Sequence, residues 1–136
     1  MKAGRAFFIS LVSVTIGSIQ MVFFLPGGVS CIDGKSSLLD GILFYMPIQF
    51  AGVFLLSLLN KKTADLFLLV GVLLFWLWVN KVEFTSRHAC WSTYTDTEII
   101  KAVLLKSALT CGVSIALLGV FVKWYKRRPI KTADES

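Results

Sequence analysis

The chain has 136 residues, 56% of them hydrophobic and 16% charged, with a formal net charge of +6 and a mean hydropathy of +0.75. Soluble domains carry about 25% charged residues, so this composition excludes an ordinary water-soluble domain. The single histidine and three cysteines are too sparse for a zinc centre, which takes three or four ligands.

Four apolar runs order the chain. The first covers residues 6–25 without a charge, within the length of about 17–25 residues that a spanning helix needs. Lys2 and Arg5 ahead of it resemble a signal-peptide head, but the usual apolar core there is only about 7–15 residues. Residues 28–31 lack the leucine favoured at lipoprotein cleavage sites and follow the turn-forming Pro26-Gly27-Gly28, so a retained helix is expected. Ser10, Ser13, Gly17 and Gln20 form a small and polar stripe along it.

A short loop over 26–37 leads to the second run, 42–59. Ser37 and Asp40 have the spacing of a capping box, with aspartate in place of the usual glutamate. Pro47 falls inside this helix, where neighbouring helices can satisfy the freed carbonyl. The third run, 66–79, is the shortest. Trp76 and Trp78 suit its interfacial end, and its length also fits a re-entrant or interfacial segment. Residues 80–96 then form a second polar segment holding Glu83, Arg87, His88, Cys90, Trp91 and Tyr94. Thr95 and Glu98 match the capping box that would start the fourth helix near Asp96. Its apolar run is 107–122, extended by a snorkelling Lys106 and an anchoring Trp124. Expected spans are 6–25, 40–59, 64–80 and 102–123, followed by a basic tail, 124–136.

Charge sets the expected orientation. Lys2, Arg5, Lys61, Lys62, Lys123, Lys126, Arg127, Arg128 and Lys131 share one face. Lys35, Lys81, Arg87, Lys101 and Lys106 on the other are balanced by Asp33, Asp40, Glu83, Asp96 and Glu98. Both termini are therefore expected in the cytoplasm. The basic tail suits anionic lipid, so nucleic acid is discarded as a partner. The lipid bilayer is the first partner.

Cys31 and Cys90 fall in the two outer segments, and Cys111 inside the fourth span. An oxidising outer compartment would allow Cys31 and Cys90 to form a disulfide; the alternative is two thiols too far apart to bridge. A membrane thiol oxidase would need a reactive cysteine pair, and intramembrane hydrolysis a buried acid or base, so no enzymatic activity and no cofactor are expected. Transport would require a polar site at depth, for which the candidates are Gln20, Tyr45 and Gln49. Intramembrane glutamines also serve as interhelical glue. Ala108, Gly112 and Ala116 recur at four-residue spacing, a stripe that lets helices approach closely and is expected to mate with the stripe of the first helix or with a second copy. Asp40 and Lys106, both near the outer interface, could pair.

Four short-linked spans with both ends inside and small outer loops form a plan similar to that of bacterial membrane immunity proteins against pore-forming toxins. The likeness is one of size and topology and carries no residue over. The expected protein is an all-α, four-helix polytopic protein of a bacterial inner membrane that recognises a membrane or periplasmic protein. Arg87, His88, Trp91 and Tyr94 supply the arginine and aromatic content of an interface, although Trp91 and Tyr94 also suit the headgroup belt. A small homo-oligomeric transporter or channel is the competing expectation.

Overall fold

The computed structural model describes residues 2–25, 27–59, 62–89 and 94–127. Four helices succeed one another: α1 (Lys2–Phe24), α2 (Leu38–Leu58), α3 (Lys62–Phe84) and α4 (Asp96–Arg127). A π-helical turn, Thr85–Ala89, continues α3. Each helix is long and apolar enough to cross a membrane. At about 1.5 Å per residue, the 21 residues of α2 cover the roughly 30 Å of a hydrocarbon core. The 32 residues of α4 extend beyond it. The protein is thus an all-α bundle whose outer surface contacts lipid, and exposed side chains such as Phe67, Leu105 and Leu109 meet a solvent as apolar as themselves.

Both expected helix starts are present. Ser37 Oγ accepts from the Asp40 amide at 3.3 Å, and Asp40 Oδ2 accepts from the Ser37 amide at 2.7 Å. Thr95 and Glu98 make the same reciprocal pair at the head of α4. Two boundaries differ from expectation. The third helix runs past residue 80 to Phe84 and on through the π-turn, because the polar residues there find partners inside the bundle. The fourth covers 96–127, so residues 124–127 of the expected tail are helical.

The helices form a ring. α1 packs on α2 and α4, and α3 packs on the same two, leaving α2 and α4 on the long diagonal. This arrangement corrects the suggested pairing of Asp40 with Lys106. Asp40 instead caps its own helix through the Ser37 amide and hydroxyl. The core has three layers. One apolar layer lies towards the loops and includes Met21, Ile42, Tyr45, Val79, Phe84 and Val103. Another lies towards the opposite end around Ile9, Val53, Leu68, Leu118 and Val122. Between them sits a band of hydrogen-bonded polar side chains. At the far end Lys126 of α4 pairs with Asp65 of α3, and Phe8 of α1 packs on Phe121 and Tyr125 of α4.

The small stripe of α4 faces outward and does not pack on that of α1 within the chain; packing on a second copy is the alternative its spacing leaves. Ala108, Gly112 and Ala116 are exposed on the lipid side, and nothing lies within 4 Å of a Cβ placed on Gly112. Ser107, Cys111, Leu118 and Val122 form the buried seam of this helix instead. The stripe of α1 is interior as expected: Ser10, Ser13 and Gln20 are all at most 2% exposed.

Candidate functional site

The polar band consists of two clusters. In the first, Gln20 of α1 and Asn80 of α3 exchange amide hydrogen bonds, Gln20 Nε2 donating to Asn80 Oδ1 at 3.2 Å and Asn80 Nδ2 donating to Gln20 Oε1 at 3.0 Å. Cys111 of α4 closes a triangle, its thiol donating to Gln20 Oε1 at 3.4 Å. In the second, Gln49 Nε2 of α2 donates to the Ser13 carbonyl and hydroxyl at 2.8 and 3.0 Å. Trp76 Nε1 of α3 donates to Gln49 Oε1 at 3.2 Å. Gly17 makes this approach possible, since a Cβ there would lie 2.6 Å from Trp76 Nε1 and 2.7 Å from Gln49 Oε1.

All four helices are therefore joined by hydrogen bonds inside the bundle, where an unpaired amide would cost several kcal/mol. Asn80 and Cys111 have no exposed surface. Tyr45, grouped with the two glutamines in sequence, belongs to the apolar layer and packs edge-on against Phe75 and Trp78. The three do not converge on one cavity. Asn80, read from sequence as the start of a loop, is the partner that reasoning missed. The only cue was its four-residue spacing from Trp76, which puts both on one face.

A second constellation sits at the loop end of the bundle. The first loop turns at Gly34, whose φ of +65° is the left-handed conformation that favours glycine. Asp33 accepts from the amides of Lys35 and Ser36 at 3.1 and 3.0 Å and from the Ser36 hydroxyl. The Ser36 hydroxyl, followed by these amides, holds the Asp33 carboxyl at about 2, below its usual 3.8. Val29 and Ser37 pair as a single antiparallel bridge. The loop is thereby a closed hairpin-like strap.

Arg87 fastens this strap to α3. Its Nε donates to Glu83 Oε2 at 2.8 Å, one helical turn back. Nη1 donates to the Gly28 and Ser36 carbonyls at 2.8 and 3.2 Å, and Nη2 to the Ser37 carbonyl at 2.8 Å. The planar guanidinium fork suits such a fan of acceptors, which a lysine ammonium could not reach together. Its side chain is 2% exposed, turned inward rather than out towards a partner. Glu83 lies flat over Gly41, where a Cβ would come within 2.9 Å of both carboxylate oxygens. Cys31 adds another tie: its amide donates to the Ser86 carbonyl at 2.9 Å, and its Sγ lies 2.8 Å from the same oxygen.

Of the other expected loop residues, Tyr94 is described and exposed. The His88 side chain, Cys90 and Trp91 lie outside the described residues. Among the described residues no group of three or more histidine, cysteine, aspartate or glutamate side chains could hold a metal ion. What the cap offers instead is a fixed surface. Val29 and Ile32 are 54% and 77% exposed on a strap held by charged hydrogen bonds, with Leu39 and Phe44 exposed beside them. No family model matches the chain, and no curated protein or solved structure matches it either.

Proposed function

We propose that this chain is a non-enzymatic, multi-pass protein of a bacterial inner membrane that acts by recognising another protein at its outer cap, as an immunity or accessory protein does. The observation that carries this reading is the Arg87 clamp. A short polar loop would ordinarily be mobile, and ordering it costs about 1–2 kcal/mol per residue. Here a buried guanidinium offsets that cost and holds apolar side chains out in a fixed arrangement, as a preorganised binding surface requires. The basic residues at the opposite end, including Arg5, Lys123 and Arg127, support placing both termini in the cytoplasm by the positive-inside rule.

A disulfide between Cys31 and Cys90 belongs to the same reading. Its support is the position of Cys31, hydrogen-bonded to Ser86 four residues before Cys90. In an oxidising compartment this bond would join the strap to the second loop.

One observation favours the second reading, a small homo-oligomeric transporter or channel. The outward-facing Ala108, Gly112 and Ala116 leave a smooth helix face that a second copy could pack against. Against it stands the saturation of Gln20 and Gln49 by interhelical hydrogen bonds. The two readings separate in a crosslinking pull-down from native membranes using a tag on the C-terminus. Recognition predicts one stoichiometric foreign partner, lost on Val29→Asn with Tyr94→Ala. Recovery of only self-crosslinked copies, together with ion or solute flux lost on Gln49→Ala, would replace it with transport.

A further inference from the structure

The cap contains a cavity of about 430 Å³ between the strap, the start of α2 and the end of α3. Its lining has two characters. Ile32, Phe44 and Val82 are apolar, whereas Asp33, Asp40 and Glu83 are carboxylates. Arg87 also reaches the wall, but its guanidinium is committed to Glu83 and three loop carbonyls. An acidic excess therefore faces the space.

Glu83 gives the cavity its direction. The residue is only 7% exposed. Oε2 takes the Arg87 hydrogen bond, while Oε1 receives none from any described residue. Buried polar atoms in folded proteins are nearly always partnered. Glu83 lines the cavity, and Oε1 is the carboxylate oxygen that Arg87 does not engage. A nine-tenths-buried carboxylate thus lines the space with one oxygen that accepts from no described residue, beside the apolar Ile32, Phe44 and Val82 and the polar Ser30, Ser36 and Ser86.

We propose that this cavity receives a basic side chain, lysine or arginine, of a polypeptide lying along the membrane surface. The inference rests on the recognition reading and names the chemistry of its partner. Lysine and arginine bury a methylene stem against apolar surface and carry the charge at the tip, which matches Ile32, Phe44 and Val82 leading to Glu83. The volume falls in the range of about 300–1,000 Å³ typical of organic ligand sites. A divalent cation fits less well: it wants about six or more oxygens, and both Asp33 oxygens are already engaged within the strap. Phe44 is exposed on the second turn of α2, so the cavity sits where the strap meets the head of a spanning helix, the level at which an amphipathic basic polypeptide lies on a bilayer.

The test uses the full chain in phosphatidylcholine nanodiscs and a fluorescent amphipathic helix of leucine and lysine. Empty nanodiscs set the baseline. The expected result is saturable binding above that baseline, absent when every lysine of the peptide is acetylated. Ile32→Lys, an exposed wall position whose new ammonium would occupy the site, is expected to weaken Kd at least tenfold. Retained protection of the Ser30 amide confirms that the variant keeps its strap. Equal binding of the acetylated peptide, an unchanged Kd in Ile32→Lys, or displacement of the peptide by millimolar Mg2+ at constant ionic strength would each overturn the proposal. If it falls while Val29→Asn with Tyr94→Ala still abolishes partner capture, recognition stands and only the ligand chemistry is wrong. If capture is absent as well, both readings fall.

Discussion

Replacing Arg87 with alanine should release the strap while leaving the bundle folded. The substitution removes a hydrogen-bonded ion pair with Glu83 and three bonds to the Gly28, Ser36 and Ser37 carbonyls. Breaking one side of a buried pair costs about 3–5 kcal/mol, because the remaining charge is left without compensation. The three carbonyl bonds add less than their individual values of about 1.5–3 kcal/mol, since a freed strap can turn those oxygens to water. A local loss of about 3 kcal/mol corresponds to roughly a hundredfold change in an opening equilibrium. Amide hydrogen exchange reads this directly. The Ser30, Cys31 and Gly34 amides, bonded to Ser36, Ser86 and Ser30 carbonyls, should lose about two decades of protection. Amides in the middle of α1 and α3 should not change. Glu83→Ala should have a similar effect, and the double variant should cost less than the sum. Arg87→Lys should fall between, keeping the charge without the fork. Strap protection within threefold of wild type in Arg87→Ala would refute the clamp.

Four further outcomes follow from the same contacts. Gly17→Ala forces a Cβ into Trp76 and Gln49 and should destabilise the protein by about 1–3 kcal/mol in detergent unfolding, whereas Gly112→Ala, with open space around it, should stay within about 0.5 kcal/mol; a reversed order would mean that α4 packs differently. Asn80→Ala leaves Gln20 without its amide partner and should cost about 0.6–1.7 kcal/mol in unfolding, with unchanged proton permeability of reconstituted vesicles. Cys31→Ser should match the mobility of reduced wild type on non-reducing gels, and identical mobility of oxidised and reduced wild type would argue against the Cys31–Cys90 bond. The Asp33 carboxyl sits at about 2 against a usual 3.8, so its contribution is present above the usual value and lost as pH falls through about 2. Protection of the Ser36 amide should hold from pH 7 to about 4 and fail near pH 2.

The all-α class and the number of spans were legible because apolar runs of sufficient length leave helices as the one practical way to satisfy the backbone. Ser37 with Asp40, and Thr95 with Glu98, also announced their helix starts, since capping depends on residues three apart rather than on tertiary contacts. The end of α3 was not legible. Asn80 and Glu83 look like loop residues by hydropathy, yet each is buried with a partner distant in sequence or one turn away. The rotation of α4 was hidden for a different reason. Small residues suit both a close helix contact and a lipid-facing surface, so the stripe could be assigned to the core or to lipid with equal justice. Among the site residues, Gln20 and Gln49 were legible as intramembrane polar groups that could serve a polar site or interhelical bonding, but their partners Asn80, Ser13 and Trp76 came only with the fold. Arg87 was singled out for its chemistry, while its direction depended on the strap carbonyls, which no side-chain pattern encodes.

The central claim, recognition at the outer cap, is tested most directly by placing one photo-crosslinking residue at a time in the native membrane. Val29 on the strap and Leu109 on the lipid face of α4, 54% and 75% exposed respectively, are the two positions to compare. Recognition at the cap predicts a single foreign protein adduct from Val29, and from Leu109 no adduct to that protein. Self-adducts from Leu109 with no foreign adduct from Val29 would contradict it and make assembly of identical copies the function to pursue.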